Sequence, residues 1–388
     1  MVAILSHISY IVAWKEKRDL SKVLKMQEVQ SMKRLVKFIL CILLVLVLVV
    51  AGYVIYALLA YHRLEDRLEL TVENGETLPA ASVGETYTIL SYNVGFGAYS
   101  ADYSFFMDGG TESRAYSQEA VQQNLEGVAG VLQQVDPDFA LLQEVDTDST
   151  RSYHVDEASL LRQALPDRAS VFAQNYDSPY LFWPLTKPHG KSRSGLLTLS
   201  RYGVDSALRR SLPVESGLRK FLDLDRCYAV LRLPLDNGKT LCLYNIHLSA
   251  YTADGTIATE QLQQLFADMQ SEYAAGNYVV CGGDFNKDLL GDSSAVFGVS
   301  GEDYTWAQSF PEELIPEGFS LEAPLNADSP VPSCRNADKP YDPQTAFVLT
   351  VDGFLVSDNV SVVQTGVQDT GFAWSDHNPV WMTFVLQP

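Results

Sequence analysis

Six apolar runs of this chain each carry an amide, a carboxylate or an imidazole at or near one end. They place Asn93 after TYTILSY, Gln143-Glu144 after FALL, and Asn245 and His247 in TLCLYNIHL. They also place Asp284 and Asn286 in YVVCGGDFN, Asp352 in FVLTVDGFLVS, and Asp376-His377 just ahead of NPVWMTFVL. One strand ending this way is ordinary. Six of them point to a shared pocket at one edge of the sheets. Glu144, Asp376 and the amide oxygen of Asn93 are hard oxygen ligands, suited to Mg2+ or Mn2+ rather than to a closed zinc site. The chain has no H-E-x-x-H, no cysteine pair at zinc spacing, no GxxxxGK[ST] loop and no G-x-S-x-G elbow. Imidazoles and carboxylates around a hard cation suit hydrolysis of a phosphate ester. The cation polarises a phosphoryl oxygen, a base activates water, and donor groups hold the developing charge.

The elements that must carry these residues alternate in type. Residues 86–94, 139–145, 194–200, 227–235, 240–248, 278–286, 347–357 and 378–386 read as strands, and Asp236-Asn237-Gly238 joins two of them as a hairpin. Residues 118–135 carry a helical stripe through Val121, Leu125, Val128 and Leu132, stopped at Asp136-Pro137. Residues 257–274 read as a second amphipathic helix. Helices alternating with strands, with at least one antiparallel hairpin, imply mixed sheets covered by helices. The stretch 287–346 is rich in Pro, Asp and Ser with little periodicity, and is expected as a long loop region rather than a second domain. No internal repeat is visible.

Seven motifs in order now carry a resemblance: YNV (92–94), LLQEV (141–145), LSRY (199–202), NIHL (245–248), GGDFN (282–286), VDGFLVS (351–357) and SDHNPV (375–380). The chain from about 86 to 388 resembles the endonuclease/exonuclease/phosphatase (deoxyribonuclease I-like) family. That resemblance implies a four-layer α/β sandwich of two mixed sheets flanked by helices. It implies Glu144 as the principal Mg2+ ligand, with Asn93 beside it and Asp376 as a second metal-side carboxylate. It makes Asp284 the residue that orients or deprotonates the attacking water, and Asn286 a phosphate-oxygen contact. His377 would face the scissile phosphate and Asp352 would fix its tautomer, while His247 would contact the phosphate or leaving group. One position departs from the pattern: some relatives carry an acid two residues after the first asparagine, where this chain has Gly95. The loop 95–117 also has no match in the well-known nucleases.

The family reading leaves the first 85 residues to be explained. Residues 38–60 hold 23 residues without a charge. At about 1.5 Å per residue that is roughly 34 Å, enough for one membrane span of about 30 Å. Eight Lys/Arg precede the run, against Glu16, Asp19 and Glu28. The bias places residues 1–37 in the cytoplasm and the rest outside, behind a polar stalk at 61–85. The run is too long for the apolar part of a cleaved signal peptide, so an uncleaved anchor is expected. Met32-Lys33-Arg34 would itself make a normal start for such a segment. The chain carries −20 overall; with +5 in residues 1–60, the remainder carries −25. That balance opposes simple binding of a nucleic-acid polyanion. The expected substrate is a phospholipid head group or small phosphate ester. A nucleic acid cut in a metal-bridged complex is the alternative, and a monomer is expected.

Several residues stay open or are set aside. Arg201 is expected to support the fold through a buried ion pair, and Arg114 and Arg335 could each bind a second phosphate. His154 and His189 read as surface residues. Cys227, Cys242 and Cys281 read as core, and Cys334 as the one exposed thiol of the loops. Tyr99, Tyr103, Phe105, Phe106, Tyr180, Phe182 and Trp183 could be core, substrate platform or bilayer contacts.

Overall fold

A computed structural model of the chain describes residues 1–75, 78–214, 224–250, 256–301, 304 and 306–388. Residues 76–77 of the expected stalk and 302–303 and 305 of the expected loop region therefore lie outside the described residues. The chain forms two units, Met1–Ala60 and Tyr61–Pro388. The first is one helix, α1 (Val2–Ala60), long and apolar enough to cross a membrane.

The second unit contains strands β1 (Leu68–Glu69), β2 (Val72–Glu73), β3 (Thr86–Asn93), β4 (Phe139–Asp146), β5 (Ala169–Asp177), β6 (Arg193–Ser200), β7 (Ser206–Ser211) and β8 (Cys227–Pro234). These are followed by β9 (Thr240–His247), β10 (Tyr278–Asp284), β11 (Phe319–Glu322), β12 (Cys334–Arg335), β13 (Val348–Leu349), β14 (Asp352–Ser357), β15 (Val360–Val367) and β16 (Val380–Leu386). Helices α2 (Gln118–Val135), α3 (Glu157–Ala164), α4 (Thr256–Ala274) and the short α5 (Ser293–Phe297) complete it. Two seven-stranded mixed sheets form, in the orders β1-β7-β8-β9-β10-β14-β11 and β15-β16-β3-β4-β6-β5-β2.

Strand alternation sorts the apolar residues into layers. Ile89, Phe139 and Leu196 of one sheet meet Ala229, Leu243 and Val280 of the other in the central core. The neighbours Leu90, Leu142 and Leu197 face outward and are covered by Val128 and Leu132 of α2 and Leu161 of α3. On the far side Val230, Tyr244 and Val279 are covered by Leu262, Leu265 and Met269 of α4. This is the four-layer α/β sandwich. The second helix ends where its sequence says it should, with Asp136 in the left-handed region at φ 46° ahead of Pro137.

Register, more than any loop, positions the chemistry. Strand β10 runs parallel to β9 and antiparallel to β14, so Asp284 is paired with His247 on one side and Asp352 on the other. Three polar residues from distant parts of the sequence thus form one row across three adjacent strands. Gly283 makes the row possible: a Cβ there would sit 2.1 Å from the Ile246 carbonyl oxygen, at φ 149°.

The expected stalk does not stand apart. Residues 68–69 pair with β7 and residues 72–73 with β5, adding an edge strand to each sheet. Arg63 binds Asp225 at 2.6 Å, and Asp66 binds Arg210 at 3.1 Å. Short polar segments with few apolar residues give little periodicity to read, yet they satisfy exposed sheet edges.

Candidate active site

The His247–Asp284–Asp352 row meets the second sheet through Asp284. Its Oδ2 lies 3.0 Å from Asn93 Nδ2, which donates to it, 3.5 Å from His247 Nε2 and 3.8 Å from His377 Nε2. Its Oδ1 accepts from the backbone N–H of Asn286 at 2.8 Å. Asn286 holds φ 52°, which an Asx side chain tolerates, and its own amide donates to the Leu248 carbonyl at 2.8 Å.

The second sheet contributes Asn93 at the end of β3 and Glu144 near the end of β4. Glu144 sits at φ 56° inside an irregularity of the β4–β6 ladder between Leu142 and Val145. A bulge of this kind re-aims a side chain at the cost of local strain. Its Oε1 lies 3.4 Å from Asn93 Nδ2 and 4.0 Å from His247 Nε2. Beneath it, Gln143 donates to Asn245 Oδ1 at 2.9 Å, a polar tie between the two sheets. Gly95 now has a physical reason. Its N–H donates to Asn93 Oδ1 at 3.0 Å, and a Cβ there would lie 2.7 Å from the Tyr99 ring and 3.1 Å from Asp376 Oδ1. An acid has no room at position 95, because Tyr99 and Asp376 fill the space.

Asp376 and His377 separate as adjacent residues do in extended backbone. His377 Nδ1 lies 2.8 Å from Asp352 Oδ2, which also accepts from Ser333 Oγ at 2.7 Å. The imidazole is thereby fixed with Nε2 toward Asp284. Asp376 borders the same cavity as Glu144. Burial is the largest influence on both carboxyls and raises both pKa values; Asp376 adds to the effect at Glu144. Asp284 is pushed up to about 7, chiefly by burial, with the Asp352 charge adding to it and His377 opposing. Burial works against a charged His377, but the Asp352 carboxylate outweighs it and holds the imidazole well above its usual pKa. Burial, then the Arg226 charge, drives His247 the other way, so it is neutral.

Asn93, Glu144, His247, Asp284, Asn286, Asp376 and His377 all line one cavity of about 490 Å3, with Asp352 behind His377. Its outer wall comes from segments that sequence reading passed over. His189 was expected at the surface but is 3% exposed and lines the cavity. Its Nδ1 lies 2.7 Å from the Ser113 carbonyl oxygen, and its ring packs near Phe96, Phe105 and Phe106. Cys334 is buried rather than exposed, with Sγ 3.6 Å from His377 Nε2. Arg335 donates through Nη2 to the carbonyls of Ser100 and Tyr103 at 3.1 and 3.2 Å while its Nε keeps no partner, and Arg114 Nε donates to that of Pro188, so both brace the wall. Arg151, which the sequence did not single out, is buried, binds Asp146 through Nε and Nη2 at 3.0 and 2.9 Å, and lies 3.9 Å over the Phe96 ring. An arginine five residues after LLQEVD carries no motif; only the fold brings it to the cavity. Arg201 binds Asp138 and Asp136 in the expected ion pairs, but they lie at the surface rather than buried, with Arg201 34% and Asp136 57% exposed. Of the open aromatics, Tyr99, Tyr103 and Phe105 are core.

The donor set fits a hard divalent cation. Two half-buried carboxyls, Glu144 and Asp376, have raised pKa values beside one cavity, chiefly through desolvation, a cost that a cation relieves. Ligand atoms of Asp284, Asp352 and His377 lie within 4.8 Å of one another, and Asp352 Oδ1 and His247 Nδ1 are buried without a hydrogen-bond partner.

Fold and site together define the class: a metal-dependent hydrolase of phosphoric esters. The sequence profile of the Endonuclease/Exonuclease/phosphatase family matches residues 90–377, and the chain belongs to that family. Among solved structures, an endonuclease/exonuclease/phosphatase from Beutenbergia cavernae is 15% identical with a TM-score of 0.52, over 78% of this chain and 72% of that one. ANGEL2, a 2',3'-cyclic phosphatase in complex with adenosine-2',3'-vanadate, is 16% identical with a TM-score of 0.51, over 83% of this chain and 99% of its own. At such identities the likeness is one of fold. No curated protein matches the chain.

Proposed function

We propose that the protein is a membrane-anchored, Mg2+-dependent phosphoesterase that hydrolyses a phospholipid head group or small phosphate ester by direct in-line attack of water. The observation that carries this reading is the convergence of Asn93 Nδ2, His247 Nε2 and His377 Nε2 on one oxygen of Asp284, beside the Glu144 and Asp376 carboxyls. Asp284, with a pKa near neutrality, takes the proton of the attacking water. His377, kept cationic by Asp352, holds the charge that develops on the phosphoryl group and can supply a proton to the leaving oxygen. Neutral His247 and Asn286 orient the phosphate from the Leu248 side. Glu144 and Asp376 would hold Mg2+, or Mn2+ in its place, to polarise a phosphoryl oxygen; Asn93 stands beside them with its Nδ2 toward Glu144 and its amide oxygen on the Gly95 N–H, so it would have to turn its amide to join as a ligand.

The substrate class rests on size and charge. A cavity of about 490 Å3 suits a small ester. The −25 carried by residues 61–388 repels a long polyanion. The anchor is the 38–60 run of α1, with the N-terminus in the cytoplasm, the catalytic unit outside and the chain a monomer. The test uses the full chain in detergent with Mg2+ and a panel of small phosphodiesters, phospholipids, RNA and plasmid DNA. Turnover of the small esters or lipids is expected. Cleavage of nucleic acid alone would overturn the reading in favour of a nuclease.

A further inference from the structure

Beside the cavity stands a feature that hydrolysis does not require. The backbone pair between Leu181 and Gly190, 3.0 Å in both directions, closes a loop whose tip reads Phe182-Trp183-Pro184-Leu185. Leu185 is 74% and Trp183 66% exposed, the highest values for large apolar side chains among the described residues of 61–388. Internal bonds from Lys187 N to Pro184 O at 3.2 Å and from His189 N to Trp183 O at 3.1 Å hold the tip open. Exposure this high, on a braced backbone, is a cost that a water-facing loop has no reason to bear.

Charge says what covers it. Residues 178–195 contain Lys187, Lys191 and Arg193, within a unit that carries −25. Lys187 pairs with Glu112 at 2.6 Å, and Lys191 and Arg193 share Asp177 at 3.3 and 3.6 Å, so three cations meet two acids and one positive charge is left over, with the cations the more exposed partners. A Trp/Leu tip above a basic base is the chemistry of an anionic lipid interface, where Trp sits at head-group level and Lys/Arg meets the phosphates. The same loop ends in buried His189 on the cavity wall. Tip and cavity are therefore the two ends of one short segment.

We propose that the 181–190 loop docks on an anionic lipid surface and brings the mouth of the cavity to ester groups held in that surface. This rests on the phosphoesterase reading for the substrate, but the docking step can be measured without it. The full chain, with Cys41→Ala removing the exposed thiol of α1, is reconstituted in phosphatidylcholine vesicles with or without phosphatidylglycerol. A fluorophore is placed through Leu185→Cys and, as control, through Asp205→Cys at the other end of β6. Lipid-attached quenchers are expected to reach position 185, more strongly with phosphatidylglycerol, and not position 205. In parallel, hexadecyl 4-nitrophenyl phosphate in the vesicles is compared with soluble methyl 4-nitrophenyl phosphate. The double variant Trp183→Ser/Leu185→Ser is expected to lose about tenfold or more on the hexadecyl ester while keeping the methyl ester rate. Equal quenching at the two positions, or an unchanged hexadecyl rate, overturns the proposal and leaves the patch to a protein partner. Failure of the wild type on both esters would instead sink the phosphoesterase reading, with the quenching still deciding the tip.

Discussion

The floor and the wall of the cavity are built by different physics. The floor is a matter of strand register: His247, Asp284 and Asp352 stand abreast on β9, β10 and β14, and Asn93 comes to them from the end of β3 in the opposing sheet. Each is fixed by a ladder of backbone bonds and by core packing on the strand behind it. The wall is a matter of loops tied to one another. The 95–117, 181–190 and 334–339 segments hold together through side chains that reach carbonyls: Arg335 to Ser100 and Tyr103, Arg114 to Pro188, and His189 to Ser113. A floor of this kind tolerates change in its surroundings but not in its own members. A wall of this kind can be reshaped, and with it the substrate, while the chemistry stays in place.

The largest effects should therefore come from the floor. Asp284→Asn and His377→Ala are each expected to lower kcat on the order of 10^3-fold, with the circular dichroism spectrum and melting point little changed. Either variant turning over normally would mean that the Asp284 focus is not the reacting centre. Next comes the cation side. Glu144→Gln is expected to raise the Mg2+ concentration needed for half-maximal rate by about 100-fold, and chelation by EDTA should silence the wild type until Mg2+ or Mn2+ is restored. A Glu144→Gln enzyme with an unchanged Mg2+ titration would remove that residue from the metal side.

The same division decides what could be read from sequence. All eight residues singled out for chemistry lie in or behind one cavity, because strand ends announce themselves: an apolar run stops, and a polar residue follows at a position the pleat aims inward. The layered fold was legible for the same reason, from alternating strands and the two helical stripes. The wall was not. His189 reads as a loop histidine between Pro188 and Gly190, and its burial depends on aromatic rings some 80 to 95 residues earlier in the chain. Cys334 and Arg335 sit in a Pro- and Asp-rich stretch with no periodicity, where nothing local tells buried from exposed. Two-residue strands at 68–69 and 72–73 fall below the length at which alternation can be seen.

A smaller effect, confined to the wall, follows from His189. Burial first, then the nearby Arg151 charge, pushes its pKa from 6.5 down to about 4. The folded protein thus binds this proton less readily than the unfolded chain. The contribution is fully present above pH 6.5 and is lost as pH falls through the window from 6.5 to about 4. Between pH 7.5 and 5 the wild type should lose about 2 kcal/mol through this group. His189→Gln keeps a donor for the Ser113 carbonyl and lacks the titration, so its denaturant midpoint should fall less over the same range. Equal losses in both proteins would show that His189 is not buried neutral. The rate on a small soluble ester should change only a few-fold, since the floor is intact.

The smallest effect should come where wall and floor touch. Cys334 Sγ lies 3.6 Å from His377 Nε2, the nitrogen that faces Asp284. Burial pushes the thiol up to about 12, so it is neutral, and the cationic imidazole donates weakly to it. A substrate phosphate must displace that contact, and an N–H···S bond is a weak one to break. Cys334→Ala removes the competitor and should leave kcat/KM within about threefold. Cys334→Ser puts a stronger acceptor at the same place and should raise KM several-fold with kcat nearly unchanged, because a hydroxyl oxygen holds a charged N–H at about 1.5–3 kcal/mol. If alanine instead costs as much as His377→Ala, the thiol belongs to the floor, and the boundary between the two regions has to be drawn one residue further out.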